Sequence, residues 1–238
     1  MSKHLKRLAA PRTMKIHRKE SKLTIRSSPG PHPFEKALPL GLVIRDYLGL
    51  CDSYHEAKRI ISAGNILVDG VKRKEYKFPC GLMDVVSIPA MKKHYRILFD
   101  RRGKLVLVPI QDIDATWKLH RIQNKTILRG KKIQLNLHDG RNTLVDKDTY
   151  KTGDVLKINF ADKKISEVYK FEKGTVAMII GGSHIGEVAN IEELQLVASS
   201  KPNLTILKSD KEFSTIADHV FPIGKTKPVI TLPEVTIQ

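Results

Sequence analysis

The segment SYHEAKRIISAGNILVDG, residues 53–70, predicts a capped helix that leads directly into a tight hairpin. Ser53 followed by Glu56 is a capping-box pattern, which predicts that the helix begins at Ser53. Gly64 is placed to end the helix in a left-handed conformation. A short apolar strand follows, and Asp69-Gly70 is a two-residue hairpin turn signal.

The predicted helix has two chemically different sides. Ala57, Ile60 and Ile61 lie at helical spacing and can face a core. Cations on the opposite side, next to a turn, suit a phosphate backbone better than a small substrate. A solvated charged side on an ordinary helix would give the same pattern, so this segment alone leaves both interpretations open. The polar side is formed by His55, Lys58, Arg59 and Ser62.

Composition narrows the function classes. The chain has 238 residues, enough for one large domain or two to three small ones, and a formal net charge of +17, which favours a polyanion or an anionic membrane as partner. No apolar run approaches the ~18 residues of a spanning helix, and the N-terminus lacks the apolar core of a secretory signal. A mitochondrial-type presequence stays possible on composition. Cys51 and Cys80 show no CxxC pairing, which favours a reducing interior and argues against a zinc site or a disulfide framework.

The charge is unevenly distributed. Residues 1–26 carry a net charge of +8, and residues 91–170 carry +10, whereas residues 171–238 carry −2. A basic arm that cannot bury apolar surface is expected to be extended in isolation and ordered where phosphates neutralise it. A solubilising tail is the alternative for the arm. The slightly acidic C-terminal part is expected to face solvent or another protein.

Hydrophobic periodicity predicts two helices, a small sheet, and then a long series of strands. Arg101-Arg102-Gly103 is a predicted hairpin tip, and the glycines of 174–190 indicate a strand, a glycine turn and a second strand, with either a bound ligand or a tight corner as the reason for the glycines. The helices are expected at 39–50 and 53–63, with one helical turn at 110–116. The strands are expected at 65–68, 71–78, 84–89, 94–100, 104–110, 117–122, 126–129, 132–138 and 142–145, with a hairpin at 155–171 and an extended C-terminal tail.

Searches for a catalytic or cofactor site give negative results. Gly224-Lys225-Thr226 resembles the end of a phosphate-binding loop, but position 219 is His where the loop needs glycine. Gly181 and Gly186 have the right glycine spacing, but Glu187 follows instead of lysine. HExxH is absent, and no histidine is spaced with a cysteine as metal ligands are. We therefore expect no catalytic residue, no metal and no cofactor.

Six short stretches together resemble a known family over nearly the whole chain. They are HLKRLAAP (4–11), GPHP (30–33), LPL (38–40), GLMDVVSI (81–88), GGSHIG (181–186) and FPIGK (221–225). The chain resembles the archaeal and eukaryotic (e-type) small-subunit ribosomal protein number four family. The resemblance implies an α+β multidomain protein, mostly β. Its parts are a basic N-terminal extension (1–37), an alpha-L RNA-binding domain of two helices plus a small sheet (38–90), a central β domain (91–170), and an SH3-like KOW barrel with a C-terminal tail (171–238).

The resemblance also implies a function: a structural, rRNA-binding constituent of the small ribosomal subunit, cytoplasmic, with no catalysis. Its expected partners are small-subunit rRNA and neighbouring ribosomal proteins, with no membrane and no homo-oligomer. The alpha-L pattern usually has Ser-Arg at the helix start, and here Tyr54 occupies the arginine position, which leaves His55, Lys58 and Arg59 as candidates for the phosphate contact. The candidate rRNA-binding residues are Lys3, Lys6, Arg7, Arg12, Lys15, Arg18, Lys19, Lys22, Arg26, His55, Lys58, Arg59, Lys72, Arg73, Arg101 and Arg102.

Two other functions remain to be weighed. Alpha-L domains also accompany pseudouridine synthases, but the rest of this chain has no recognisable catalytic domain. A KOW-containing transcription or translation factor would visit the ribosome or polymerase only transiently. Copurification with small subunits after a high-salt wash would separate these alternatives from a resident ribosomal protein.

Overall fold

The computed structural model describes residues 4–209 and 211–233 of the chain. Its secondary structure is mostly β, with two short α-helices, as the sequence predicts. The chain divides into two compact units. The first contains the residues up to 99 together with 104–118, and the second contains 100–103 together with the residues from 119 onward.

The basic N-terminal segment is folded, whereas its composition predicts an extended arm. Strand β1 (Leu5–Lys6) pairs antiparallel with β2 (Leu23–Thr24). The residues between and next to these strands bury Ala10, Met14 and Ile25, which are only 5%, 1% and 4% exposed. The physical reason for the difference is that the segment contributes apolar side chains to a core, and a charge count alone overlooks them.

Two short helices follow. Strand β3 (Ala37–Pro39) leads into α1 (Leu40–Leu42), which continues as a wider π-helical turn over Val43–Tyr47. Helix α2 spans Tyr54–Ser62. Ser53 Oγ accepts a hydrogen bond from the Glu56 N–H at 3.3 Å, and Glu56 in turn accepts one from the backbone N–H of the residue before Ser53. The predicted cap is therefore confirmed, and so is the left-handed end at Gly64, whose φ is +78°.

A five-stranded antiparallel sheet forms most of the rest of the first unit. Its order is β5-β4-β7-β8-β9, and β6 pairs separately with β3. Asp69 and Gly70 connect β4 and β5 with φ values of +51° and +75°, which confirms the predicted two-residue turn. The strands are β4 (Leu67–Val68), β5 (Val71–Lys72), β6 (Pro79–Gly81), β7 (Val85–Ile88), β8 (Lys93–Phe99) and β9 (Leu105–Ile110).

Two details of this sheet differ from the sequence-based expectation. The strand predicted at 71–78 ends at Lys72, and Pro79–Gly81, expected to interrupt the strands, is itself paired with β3. Strands β7 and β8 pair across the short turn Pro89–Met91, so the sheet extends past residue 90.

A buried ion cluster lies beneath the β4–β5 turn. The Lys118 ammonium, which is fully buried, is 3.0 Å from an Asp69 carboxylate oxygen and 2.5 Å from an Asp84 carboxylate oxygen. His32 Nε2 is 3.0 Å from the Asp84 carboxylate. Burial by itself would raise the pKa of Asp84, but Lys118 and His32 outweigh it, so that this pKa lies well below its usual range.

The second unit begins with another five-stranded antiparallel sheet. Its order is β12-β11-β10-β13-β14, and its core includes the fully buried side chains of Ile122, Leu135 and Leu156. The two strands expected at 117–122 and 126–129 form one strand, β10, with a bulge after Ile122. The strands are β10 (Trp117–Ile127), β11 (Ile133–Leu137), β12 (Asn142–Val145), β13 (Val155–Asn159) and β14 (Ile165–Tyr169).

The C-terminal part forms a third five-stranded antiparallel sheet, with the order β18-β17-β16-β15-β19. The predicted strand, glycine turn and strand are present as β15, the turn and β16. Strand β19 lies beside β15 and ends just before the predicted extended tail, which has no strand in the described residues 225–233. The strands are β15 (Val176–Ile179), β16 (Val188–Gln195), β17 (Leu204–Lys208), β18 (Glu212–Ile216) and β19 (Val220–Gly224).

Candidate nucleic-acid interface

The outer side of α2 is an exposed cationic surface. Ala57 and Ile61 are buried, at 1% and 0% exposure, and anchor the helix to its unit. His55, Lys58 and Arg59 are exposed on the other side, as the helical spacing predicts. The cap at Ser53 fixes where the first turn begins, so the cations are presented at defined positions along the helix.

Aromatic rings lie directly beside these cations. Tyr54 and Tyr76 meet edge to face, with ring centroids 6.2 Å apart and planes at 88°. The Arg45 guanidinium carbon lies 4.8 Å from the Tyr54 ring centroid. The ammonium groups of Lys58 and Lys77 lie 5.7 Å and 5.5 Å from the Tyr76 ring centroid. We call these five residues the aromatic–cation cluster.

The cluster holds its cations without neutralising all of them. An aromatic face attracts a cation through its quadrupole but leaves the net charge in place. Burial raises the pKa of the Tyr54 hydroxyl, so the ring stays uncharged at neutral pH. Arg45 differs from the two lysines, because its guanidinium also forms a bidentate pair with the Asp46 carboxylate, with its shortest distance 2.8 Å. Lys58 and Lys77 are therefore positioned cations that can still pair with a phosphate.

Sequence reasoning missed Arg45, Tyr76 and Lys77. Arg45 lies in the π-helical turn before α2, and Tyr76 and Lys77 lie after the β4–β5 hairpin. Their proximity to α2 depends on how helix and sheet pack. The available signal was the stretch VKRKEYKF at 71–78, in which aromatic residues interleave with cations.

Lys72 and Arg73, the candidates in this stretch, have different surroundings. Lys72 is exposed at the end of β5. Arg73 is half-buried, and its guanidinium carbon lies 4.4 Å from the ring centroid of Phe78. The guanidinium thus lies over an aromatic ring, a contact that can hold the charge in position for a phosphate.

The candidates in the N-terminal segment fall into two groups. One group is exposed and offers its charges to a ligand. The other is held by the protein: the Arg18 guanidinium donates to three backbone carbonyls, those of Leu8, Ala10 and Pro11, at 2.7–3.1 Å. Arg26 is half-buried, 5.8 Å from the Phe34 ring centroid. Lys3 lies outside the described residues. The exposed group is Lys6, Arg12, Lys15, Lys19 and Lys22.

Arg7 is the candidate that the structure places furthest from an interface role. Its side chain is 3% exposed. The guanidinium donates to the His17 carbonyl at 2.6 Å and to Ser21 Oγ at 3.2 Å, and it lies 3.2 Å and 3.5 Å from carboxylate oxygens of Glu20 and Asp46. Through these contacts, the buried Arg7 side chain stabilises the folded N-terminal segment. We therefore leave it out of the proposed interface.

Arg101 and Arg102 lie in the second unit, where both are exposed at the tip of the β8–β9 hairpin. The predicted tip is confirmed, with Gly103 at φ +69°. Within this unit the glycine turn approaches the protein's own chain: a Cβ on Gly186 would lie 2.5 Å from the Asp100 backbone, and one on Gly181 would lie 2.7 Å from the His219 ring. Close internal packing explains both glycines.

The described residues 4–209 and 211–233 contain no group of three His, Cys, Asp or Glu side chains arranged to hold a metal ion. In the same part of the chain, no helix has both the length and the apolar character needed to cross a membrane.

Three protein-family models match successive parts of the chain: the RS4NT (NUC023) domain at residues 1–35, the S4 domain at 43–86 and Ribosomal family S4e at 91–165. The small ribosomal subunit protein eS4 of Archaeoglobus fulgidus is 51% identical over 96% of this chain and 97% of its own. That of Methanosphaera stadtmanae is 48% identical over 97% of this chain and 95% of its own. The crystal structure of the 30S ribosomal protein S4e from Thermoplasma acidophilum has a TM-score of 0.70 at 38% identity, covering 80% of this chain and 96% of that chain.

The fold, the S4 domain and the exposed cations define an RNA-binding protein. Within that class, the chain belongs to the ribosomal S4e family. Members of this family are structural proteins rather than enzymes, so the resemblance found in the sequence is confirmed and the RNA-modifying alternative is set aside.

Proposed function

We propose that the protein binds rRNA as a structural constituent of the small ribosomal subunit, and that the cationic side of α2 with the aromatic–cation cluster is its main contact. The observation that carries this proposal is the exposed pair Lys58 and Arg59 on α2, of which Lys58 lies beside the Tyr76 ring. As expected for a family of structural proteins, the function requires no bound cofactor. The protein is located in the cytoplasm, in the ribosome.

The geometry supports a contact with the sugar-phosphate backbone. Lysine and arginine bind phosphates through charge-assisted hydrogen bonds, which position a protein on RNA but carry little sequence information. Because Lys58 and Lys77 lie against one ring, less side-chain entropy is lost when they bind a phosphate. The half-buried rings of Tyr54 and Tyr76 add aromatic surface beside these cations, on which an unpaired base could stack. The site is thus suited to folded RNA that presents closely spaced phosphates.

The other modules extend this contact. The exposed cations of residues 4–26 form a folded basic surface on the same unit, and Arg101 and Arg102 add a third group. Several weak sites on one chain raise each other's effective concentration, so the affinity of the whole exceeds that of any part. The region 171–238 is proposed to be an SH3-like KOW barrel. Its net charge of −2 is a reason to place it against neighbouring ribosomal proteins rather than rRNA, in a subunit that contains one copy of this chain.

The test uses the full chain and a transcript of small-subunit rRNA. Lys58→Gln with Arg59→Gln removes two cations from the proposed contact, and Lys92→Gln with Lys93→Gln removes two exposed cations from the same unit as a matched control. Binding of the unmodified protein should weaken steeply with salt, since released counterions set the slope. We expect the first variant to lose about tenfold or more in affinity at moderate salt and to reduce the log–log salt slope by about 1–2, at about 0.7–0.9 per phosphate.

The control should keep the affinity and slope of the unmodified protein. A flat salt dependence of the unmodified protein would reject rRNA binding, whereas equal losses in the two variants would reject α2 as the main contact. In the cell, the protein should sediment with small subunits at one copy per subunit after a high-salt wash. Release by that wash would favour a transient factor.

A further inference from the structure

The hairpin formed by β10 and β11 extends beyond the hydrophobic core of its sheet. Ile122 and Leu135 on these strands are fully buried. Towards the turn, however, Ile127 is 78% exposed and Leu128 is 38% exposed. Strand β11 pairs with β12 as far as Ile133, which packs against the core, so the exposed end of the hairpin is limited to Ile127, Leu128 and the turn.

The turn itself concentrates positive charge. Residues 129–132, with the sequence RGKK, place three exposed cations within four positions. In the described part of the chain, none of these three side chains pairs with a carboxylate or a ring. Two cations on strands of this sheet are paired: Lys125 Nζ lies 2.5 Å from an Asp148 oxygen, and Lys157 Nζ lies 3.2 Å from a Glu167 oxygen. The charge at the turn therefore remains available to an external anion.

The backbone of the turn is left-handed at two successive residues. Lys131 has φ +61° and follows Gly130, whose φ is +83°. An L-residue with a Cβ is disfavoured in this left-handed region, where glycine is accommodated freely. A lysine at position 131 is thus kept at a cost in folding free energy. Lys92 and Lys163 also have positive φ, at +50° and +53°, so this conformation describes the turn and does not by itself assign a role to the side chain.

We propose that this tip, residues 129–132 with the flanking Ile127 and Leu128, is a second rRNA-binding site on the chain. The cations contact phosphates, and the two exposed aliphatic side chains pack on ribose or on an unpaired base. The ligand class is RNA because three exposed, unpaired cations within four positions favour a polyanion, and because the protein's family is ribosomal. The inference rests on the proposed function and adds a site to it.

The test compares two variants of the full chain in binding to the small-subunit rRNA transcript. The tip variant carries Arg129→Gln, Lys131→Gln and Lys132→Gln. The control variant removes the same charge from three exposed lysines outside the tip, through Lys147→Gln, Lys163→Gln and Lys164→Gln; each of them lies within two positions of an acidic residue. Lys163 also has positive φ, at +53°, so the control matches the tip in backbone geometry as well as in charge.

We expect the tip variant to reduce the log–log salt slope by about 2–3 and the affinity by at least tenfold, with the control close to the unmodified protein. A third variant, Ile127→Ser with Leu128→Ser, should weaken binding severalfold at all salt concentrations without changing the slope. Circular dichroism melting should be unchanged in all three, because the substituted residues lie outside the core.

The outcomes separate this inference from the proposed function. If the unmodified chain binds the transcript and the tip variant behaves like the control, the tip is not a binding site, while the α2 contact stands. If the unmodified chain does not bind the transcript, the proposed function itself fails. Equal loss in the tip and control variants would show a dependence on net charge only and would overturn the inference.

Discussion

The buried cluster around Lys118 makes a strong prediction about stability. Replacing Lys118 with Met keeps an unbranched side chain of similar length but removes the cation between Asp69 and Asp84. Both carboxylates are nearly inaccessible, with side chains 4% and 2% exposed. Removing one partner of a buried ion pair typically costs about 3–5 kcal/mol, because an uncompensated charge stays buried. We expect Lys118→Met to lower the free energy of unfolding by that amount.

The two carboxylates keep other partners that partly compensate for the lost cation, so we expect the loss of stability to lie toward the lower end of that range. Asp84 keeps His32 at 3.0 Å and accepts a hydrogen bond from the Gly81 N–H at 2.8 Å. Asp69 keeps the Val85 N–H at 3.0 Å. The double variant Lys118→Met with Asp84→Asn should lose less free energy of unfolding than the sum of the losses in the two single variants. The second change removes one of the two buried carboxylate charges that have lost their cation.

The assay is urea unfolding of the full chain, followed by tryptophan fluorescence. Trp117 is the only tryptophan, it is buried in the first unit beside Lys118, and the Arg96 guanidinium lies 4.3 Å from its ring centroid. Its emission therefore reports unfolding of this unit. Lys93→Met, at an exposed position of β8, is the control and should change stability by less than about 0.5 kcal/mol. A loss below about 1 kcal/mol for Lys118→Met would refute the reasoning.

The same cluster fixes the sign of a pH dependence. The pKa of Asp84 is lower in the folded protein than in the unfolded chain, so the unfolded chain binds the proton more readily. The stabilisation is fully present above the unfolded pKa of about 3.9 and is lost as the pH falls through the folded pKa. Below about pH 4, unfolding of the first unit should therefore become easier with each further step down in pH. Stability that stays constant between about pH 4 and 2 would contradict this.

Three further predictions follow from single contacts. Ser53→Ala should destabilise the first unit by about 1 kcal/mol in the Trp117 assay, because the Glu56 N–H loses its cap, whereas Ser53→Asn should preserve it. Lys131→Gly should raise the free energy of unfolding by about 0.5 kcal/mol, because glycine removes the strain of the left-handed conformation, and this gain exceeds the loss caused by the greater entropy of the unfolded chain. The same variant should weaken rRNA binding. Equal or lower stability would argue against strain at this position. Tyr76→Leu should reduce rRNA affinity by about 1 kcal/mol without lowering the salt slope, because it removes a ring and no charge; a reduced slope would show that the ring acts only by holding Lys58 and Lys77.

The parts of the fold that the sequence predicted correctly depend on local signals. The cap at Ser53, the left-handed end at Gly64 and the turn at Asp69-Gly70 each depend on residues within a few positions of one another, and the structure confirms all three. Local backbone preferences alone determine such features, so they can be identified without knowledge of the packing.

The features that sequence reasoning missed depend on distant residues. The folding of residues 4–26 involves Arg7 contacting Asp46, and the Lys15 N–H donating to the Tyr47 hydroxyl at 2.8 Å. The pairing of β3 with β6 joins residues some forty positions apart. Charge counts and periodicity contain no information about such contacts. For the same reason Arg45 and Lys77 were absent from the predicted site, since only the packing brings them to the rings of Tyr54 and Tyr76.

The distribution of cations in this protein shows why net charge alone identifies the ligand class but not the site. Arg7, Arg96 and Lys118 are buried, and their hydrogen bonds and ion pairs are internal, so they stabilise the fold. Lys58 and residues 129–132 are exposed without a carboxylate partner among the described residues. An internal cation that pairs with a carboxylate adds nothing to the counterions released on binding, whereas each unpaired surface cation that meets a phosphate adds to the salt slope. The slope measured for the intact chain should therefore be about 0.7–0.9 times the number of exposed, unpaired cations that contact rRNA, and that number should fall well below the total of 42 lysines and arginines.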